Sequence, residues 1–391
     1  MSKAFAIPTW LACAIVLAFG YTTGLQLGKV SPYAARLEAE FGYGLAQVGV
    51  LTSLLTLFVA VSAAFVGRRV SRIGVTRSLK VSAVVMAIGA VLFGFVPEGG
   101  WLLAARTVEA LGYVVAVIAA PAYLANAQSG RLRPVFLALW GSVVPIGFAA
   151  SDTLASQLPA SLSLANSFLV FAAPIAVLAM LVLLLRKDVA VPAAAKGDAA
   201  PAPSGDAGVA WILAVAFGCY VCLSIAFFAF LPTFAATRSG VSVSSGVVAL
   251  FVPIGSFAAA FLLSILPRPA VLALAAAGFL GAAFSAPFMF AGASGNALAM
   301  ITFAFFIGIA ASAIIASVSV LTSSRDSSTR TLGAIAQFGG SAVLLGAPLA
   351  GFVIERFGWD VLAGGLAAIA SLGFLIFLSR LARRRPLATA L

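Results

Sequence analysis

A run of about 20 apolar residues is long enough, as a helix, to cross the hydrocarbon core of a bilayer. This chain offers twelve such runs. The first six fall at 7–27, 44–66, 79–97, 101–125, 135–157 and 163–185; the second six at 209–235, 243–266, 269–290, 296–321, 332–355 and 358–380. Several junctions are short, which leaves eleven or thirteen open as counts. Only 9% of the 391 residues are charged, against about 25% in soluble domains. So few charges cannot cover a water-facing surface for a chain this long, so lipid must solvate much of it. The expectation is an all-α, multi-pass membrane protein. The first run follows a single Lys3 and lacks a convincing cleavage site, so it reads as a first span rather than a signal peptide.

Between the sixth and seventh runs, 186–208 reads RKDVAVPAAAKGDAAPAPSGDAG. Rich in Ala, Pro, Gly and charge, and without apolar periodicity, it has the composition of a linker. Its midpoint position predicts an N-terminal six-helix bundle over 1–185, a cytoplasmic linker over 186–208, and a C-terminal six-helix bundle with a basic tail over 209–391. With the N-terminus in the cytoplasm, eighteen of the 23 Lys and Arg residues fall in cytoplasmic segments. Four, Lys29, Arg36, Arg238 and Arg356, fall outside, and Arg106 lies within a span. That bias follows the positive-inside rule and places both termini in the cytoplasm of a cell (inner) membrane protein. It also accounts for the net charge of +12 without nucleic acid, since no soluble domain carries a basic patch. The halves echo each other. Span 5 holds Gly141, Pro145 and Gly147, and span 11 holds Gly346, Pro348 and Gly351, which predicts kinks or close helix contacts in both.

The chain has no histidine, which excludes His-based metal sites and Ser–His nucleophiles. Cys13, Cys219 and Cys222 sit in apolar runs as packing residues, with neither a disulfide framework nor a zinc pattern. There is no phosphate-binding glycine loop and no extramembrane segment large enough for a catalytic domain. The chain is therefore expected not to be an enzyme and to hold no cofactor or metal. Its expected partners are the lipid bilayer, a small-molecule substrate and protons, and it is expected to be a monomer.

Ionisable groups in the hydrocarbon region are costly and are functional candidates by default. Arg106 and Glu109 in span 4 are three apart and share a helix face. At 1.5 Å per residue from Trp101 they lie roughly 8 Å and roughly 12 Å deep, and Asp152, late in span 5, roughly 5–8 Å below the same surface. An Arg106–Asp152 pair or an Arg106–Glu109 pair is predicted. Either is a neutralised structural cluster or a working site. In the working site Arg106 attracts an anionic substrate group and Glu109, in low dielectric, carries a coupling proton; Asp152 shares that task or, close to the interface, is a merely solvated carboxylate. Further polar groups within spans are Tyr21, Thr22, Thr23 and Gln26, then Tyr113, Tyr220, Ser224, Gln337 and Ser341.

The segment after span 2 reads GRRVSRIGVTRSLK. It resembles the cytoplasmic signature of the major facilitator superfamily: a Gly, three residues, Asp-Arg, one residue, then Gly and basic residues. Gly67, Arg72, Gly74 and Arg77 match, while Ser71 stands where the family carries Asp and Val75 where a basic residue is common. Span 4 reads RTVEALG from Arg106 to Gly112, similar to the family's fourth-helix pattern. Gly67 and Gly74 are expected to permit a sharp turn, and the arginines to anchor it at the headgroups. The resemblance implies twelve helices in two pseudo-symmetric bundles. It also implies a gating role for this loop, whose charged part Ser71 removes; a plain topology anchor is the alternative. In the family spans 1, 4, 7 and 10 line a cavity, which implies solute contacts for Tyr21, Arg106, Glu109, Tyr113 and Tyr220; Gln337 joins them as a polar group of span 11.

The implied activity is secondary active transport by alternating access, with proton-coupled uptake of a small organic anion or amphiphilic metabolite preferred. Span 1 lacks the Asp typical of many drug:proton antiporters, and GSVVPIG in span 5 only partly resembles the antiporter Gly-Pro pattern. The alternatives are a proton-antiport exporter of drugs or metabolites and a non-transporting membrane sensor or scaffold.

Overall fold

The computed structural model describes residues 8–95, 99–127, 136, 139–185, 204–237, 244–267, 270–292, 295–321 and 325–384. All regular structure among them is helical. Helix α1 covers Thr9–Gly28, and a 3-10 turn at Ser31–Tyr33 leads into a short α2, Ala34–Phe41. Then follow α3 (Leu45–Ser53), α4 (Leu57–Ile73), α5 (Val75–Gly94), α6 (Gly99–Ala127), α7 (Val143–Gln157) and α8 (Leu164–Leu183). The second set is α9 (Ser204–Thr237), α10 (Ser245–Ile265), α11 (Ala270–Ser285), α12 (Ala297–Leu321), α13 (Arg325–Phe357) and α14 (Trp359–Arg384). Eleven stretches of the described residues are long and apolar enough to cross a membrane. The predicted fifth span is not among them, because the part of it described as one helix, α7, has 15 residues.

Several predicted boundaries move, each for a local reason. Span 2 is not continuous: α3 gives way to a 3-10 turn at Leu54–Thr56 before α4 begins. Thr52, Ser53 and Thr56 lie at the break. Thr52 Oγ1 donates to Val48 O at 2.9 Å and Thr56 Oγ1 to Ser53 O at 2.8 Å, so hydroxyls compete with the backbone ladder there. The basic signature is mostly helical, since α4 runs on to Ile73 and α5 starts at Val75. Gly74 alone makes the turn, at φ 101°, a conformation that L side chains rarely adopt. Gly67 lies inside α4, so its predicted part in the turn does not hold. Of the expected linker, 186–203 lies outside the described residues, and 204–208 already belongs to α9. The short α2 falls in the junction between the first two predicted runs. It ends in a left-handed Gly42 at φ 70°, whose N–H bonds Glu38 O at 2.8 Å.

Packing repeats between the two sets. In the first, α1 packs against α7, α6 and α8, α5 against α6 and α8, and α4 against α6. In the second, α9 packs against α13, α12 and α14, α11 against α12 and α14, and α10 against α12. Small residues set the closest approaches, as expected in lipid. A Cβ on Gly147 of α7 would lie 2.5 Å from Gly24 Cα of α1, and one on Gly346 of α13 would lie 2.6 Å from the Ile225 side chain of α9. Gly141 faces open space. Pro145 sits in the first turn of α7, where no backbone bond is lost, and Pro348 lies inside α13. Large apolar side chains such as Phe284, Leu298 and Val61 point outward, the surface that lipid solvates.

The two sets meet along α3 and α4 against α13, and α7 against α10. At one end of this seam Ser53 Oγ donates to Val343 O at 2.7 Å, Ala46 N–H to Glu355 Oε1 at 3.3 Å, and Ser245 Oγ to Asp152 Oδ2. Arg36 donates to Leu162 O at 3.0 Å at the same end, tying the connection after α1 to the one after α7. The bonds at Ser53, Ala46 and Ser245 join the two sets here, at what is called the sealed end.

Candidate functional site

Helix α1 stops at Gly28, so its last carbonyls have no partners within the helix. Arg106, reaching across from α6, supplies them. Its Nη1 donates to Gln26 O at 2.7 Å and its Nη2 to Leu27 O at 3.1 Å. Its Nε donates to Leu51 O at 2.9 Å, three residues before the break that follows α3. Leu25 O is satisfied from α7 by Ser151 Oγ at 2.8 Å. One guanidinium thereby caps two helical segments, which its rigid fork of donors suits better than an ammonium would.

Glu109 neutralises this cation and a second one. Its Oε2 lies 2.8 Å from Arg106 Nη1 and its Oε1 2.6 Å from Lys29 Nζ. Lys29 also donates to Gln26 Oε1 at 3.0 Å, and Gln26 Nε2 passes the chain on to Phe171 O of α8 at 2.6 Å. The Phe93 ring lies beneath both cations, 3.9 Å from Lys29 Nζ and 5.6 Å from the Arg106 guanidinium carbon. Lys29, Arg106 and Glu109 are all fully buried. Both cations stand at the C-terminal end of α1, where the helix dipole favours positive charge. Gly89 of α5 makes the room: a Cβ there would come within 2.7 Å of Glu109 Cγ. The network joins α1, α3, α6 and α8, and its one carboxylate holds two cations.

Of the two predicted pairings, Arg106–Glu109 forms and Arg106–Asp152 does not. The reason is that four hydrogen bonds to Leu51, Gln26, Leu27 and Glu109 occupy Arg106. Asp152, half-buried on α7, turns instead to Ser245 of the other set. The sequence alone places Lys29 among the outer charges, whereas the structure buries it, one position past the last residue of α1. The signal for it was its three-residue spacing from Gln26, which puts both on one face.

The remaining predicted residues are spread out. Half-buried Tyr21 donates to Leu139 O at 3.2 Å and lies 3.2 Å from Ser142 Oγ. Tyr113 and Tyr220 are buried on α6 and α9, and Gln337 is exposed on α13. In the basic signature Arg72 and Arg77 are exposed, and the side chain of Ser71 lies outside the described residues.

Among the described residues, eleven apolar stretches and a repeated packing pattern, with a buried ion cluster in the first set, define a polytopic membrane protein. The family model for the Major Facilitator Superfamily matches residues 10–342, and the chain belongs to that superfamily. Over 142 residues it is 29% identical to probable polyol transporter 6 of Arabidopsis thaliana, a stretch covering 35% of this chain and 28% of that protein. Over 140 residues it is 28% identical to probable polyol transporter 3 of the same plant, covering 34% and 27%. The match thus spans less than a third of either relative. Among solved structures, the human organic anion transporter MFSD10 aligns with a TM-score of 0.68 over 95% of this chain and 99% of that one, at 16% identity. At that identity the likeness is one of fold.

Proposed function

We propose that this chain is a secondary active transporter working by alternating access. Two bundles, 1–185 and 209–391, present a shared solute site to one face of the membrane at a time. The linker and both termini lie on the cytoplasmic side of a cell (inner) membrane, and the eighteen-to-four distribution of Lys and Arg supports that orientation. The observation that carries the reading is the seam. It is made by α3, α4 and α7 against α13 and α10, and is bridged at the sealed end by single hydrogen bonds at Ser53, Ala46 and Ser245. Parting such a seam breaks few directional bonds, which is what rocking of two bundles requires.

The cargo we propose is a small, polar, uncharged or amphiphilic metabolite taken up with protons. Two observations support it. Arg106 spends its donors on backbone carbonyls and Glu109, leaving little to greet an anion. The plant proteins that share a segment with this chain are named polyol transporters. Tyr21, Tyr113, Tyr220 and Gln337 are the proposed solute contacts, and Glu109 the proposed coupling group. A proton on Glu109 removes the charge that Lys29 and Arg106 share, freeing the end of α1. A small organic anion is the second reading; it requires Arg106 to release its carbonyl partners.

The test is uptake into proteoliposomes under an imposed proton gradient, with a panel of polyols and small carboxylates. The expected result is gradient-driven polyol accumulation that Glu109→Gln abolishes while counterflow exchange persists. Accumulation unchanged in that variant removes Glu109 from coupling. Carboxylate uptake that Arg106→Lys selectively weakens restores the anion reading. Solute expelled against the gradient establishes an exporter, and binding without movement establishes a sensor.

A further inference from the structure

Two carboxylates at the sealed end occupy equivalent places in the two halves. Asp152 lies on α7 and accepts a hydrogen bond from Ser245, the first residue of α10. Glu355 lies on α13 and accepts one, at 3.3 Å, from the backbone N–H of Ala46, the second residue of α3. Helices α7 and α13 pack equivalently, against α1 and α9 respectively. Their prolines mark the same register: Asp152 follows Pro145 by seven positions and Glu355 follows Pro348 by seven. The receiving helices are also equivalent, since α10 packs on α12 as α4, the continuation of α3, packs on α6. Each half therefore sends one carboxylate across the seam to the start of the other half's matching helix.

The surroundings suit a contact that forms and breaks. The backbones meet through small residues: a Cβ on Gly246 would lie 3.1 Å from Thr153 Oγ1, and one on Gly351 would lie 2.9 Å from Ala46 N. Neither carboxylate has a cation partner among the described ion pairs. Each meets a neutral donor at a helix start, where the free N–H groups favour negative charge. Such a bond is readily exchanged for water when the halves part. The two contacts are unequal, because Asp152 is half-buried and Glu355 exposed. The less hydrated contact contributes more.

We propose that Asp152 and Glu355 are a symmetry-related pair of gate residues that hold this end of the transporter closed, and that both contacts break each time it opens. The proposal rests on the alternating-access reading. It assigns Asp152 to the gate rather than to solute or proton binding, and adds Glu355, which sequence reasoning did not single out.

The experiment places spin labels at Ser156 on α7 and Val247 on α10, both exposed, in a cysteine-free background of the full chain in lipid nanodiscs. It reads the ratio of long to short distances by pulsed electron resonance. Asp152→Ala is expected to raise that ratio about two- to fivefold, Glu355→Ala less, and the double variant more than either. Ser245→Ala, which leaves the carboxylate in place, is expected to reproduce most of the Asp152→Ala shift. Uptake by the parent in proteoliposomes is measured alongside. Uptake with an unchanged distance ratio in all four variants overturns the gate alone. A parent with one distance under all conditions and no uptake overturns alternating access and the gate together. If Asp152→Ala fails to fold, the shift in Ser245→Ala and Glu355→Ala decides.

Discussion

Where α1 ends, Lys29, Arg106 and Glu109 fill the space between helices; where its counterpart α9 ends, Phe227, Phe234, Phe290, Phe303 and Trp359 fill it. In the first case three charges are held by directional bonds of 2.6–3.1 Å to one another and to backbone carbonyls. In the second, ring centroids lie 5.1 Å apart for Phe227 and Phe303, 4.9 Å for Phe234 and Phe290, and 5.0 Å for Phe234 and Trp359. Lys29, Arg106 and Glu109 are buried, as are the four Phe rings, while Trp359 is half-buried. The difference teaches how each half can respond. An aromatic cluster loses stability in proportion to the volume removed. A buried ion cluster depends on all its members, and losing one strands the rest in low dielectric.

The comparison can be broken by substitution, starting with the largest expected effect. Glu109→Leu leaves Lys29 and Arg106 without their shared anion and is expected to cost about 3–5 kcal/mol, read as a lower unfolding midpoint in detergent or lost folded yield. A variant as stable as the parent would show that the cluster's charges are not interdependent. Phe234→Ala opens a cavity beside Phe290 and Trp359 and is expected to cost about 3 kcal/mol, with Phe234→Leu recovering much of the loss in the same assay. Recovery by a smaller apolar residue is the signature of volume; its failure would blur the contrast between the halves.

Arg106→Lys keeps the charge beside Glu109 but loses the fork that caps Leu51, Gln26 and Leu27, for an expected cost of about 2 kcal/mol. Hydrogen exchange is expected to rise first at the end of α1. A comparable effect is expected on removing the whole cluster. Lys29→Met, Arg106→Met and Glu109→Leu together also uncap those carbonyls and are expected to cost about 2 kcal/mol, less than Glu109→Leu alone, because no charge is left stranded. Uptake by this triple variant then separates a structural cluster, which permits accumulation, from a coupling site, which does not.

How much of this could be read from residue order differs between fold and site. Glu109 and Arg106 were legible as a pair because three-residue spacing on a helix fixes a shared face. Lys29 was not, since its depth depends on where α1 ends and which helices close over it. Asp152 was legible as a costly charge, but its partner Ser245 lies 93 positions away, and only the packing of α7 on α10 brings them together. Gly74 was legible as a turn, whereas Gly67 needed the observed extent of α4 to be placed inside a helix.

By itself the sequence determined that this is a helical multi-pass membrane protein with costly charges inside its first spans, because apolar run length, charge placement and composition act locally along the chain. Only the tertiary structure decided which charges meet and which carboxylates cross the seam. Those outcomes depend on the ends of helices and on contacts between residues far apart in the chain, where a carbonyl left free at one helix end becomes the partner of a side chain on another.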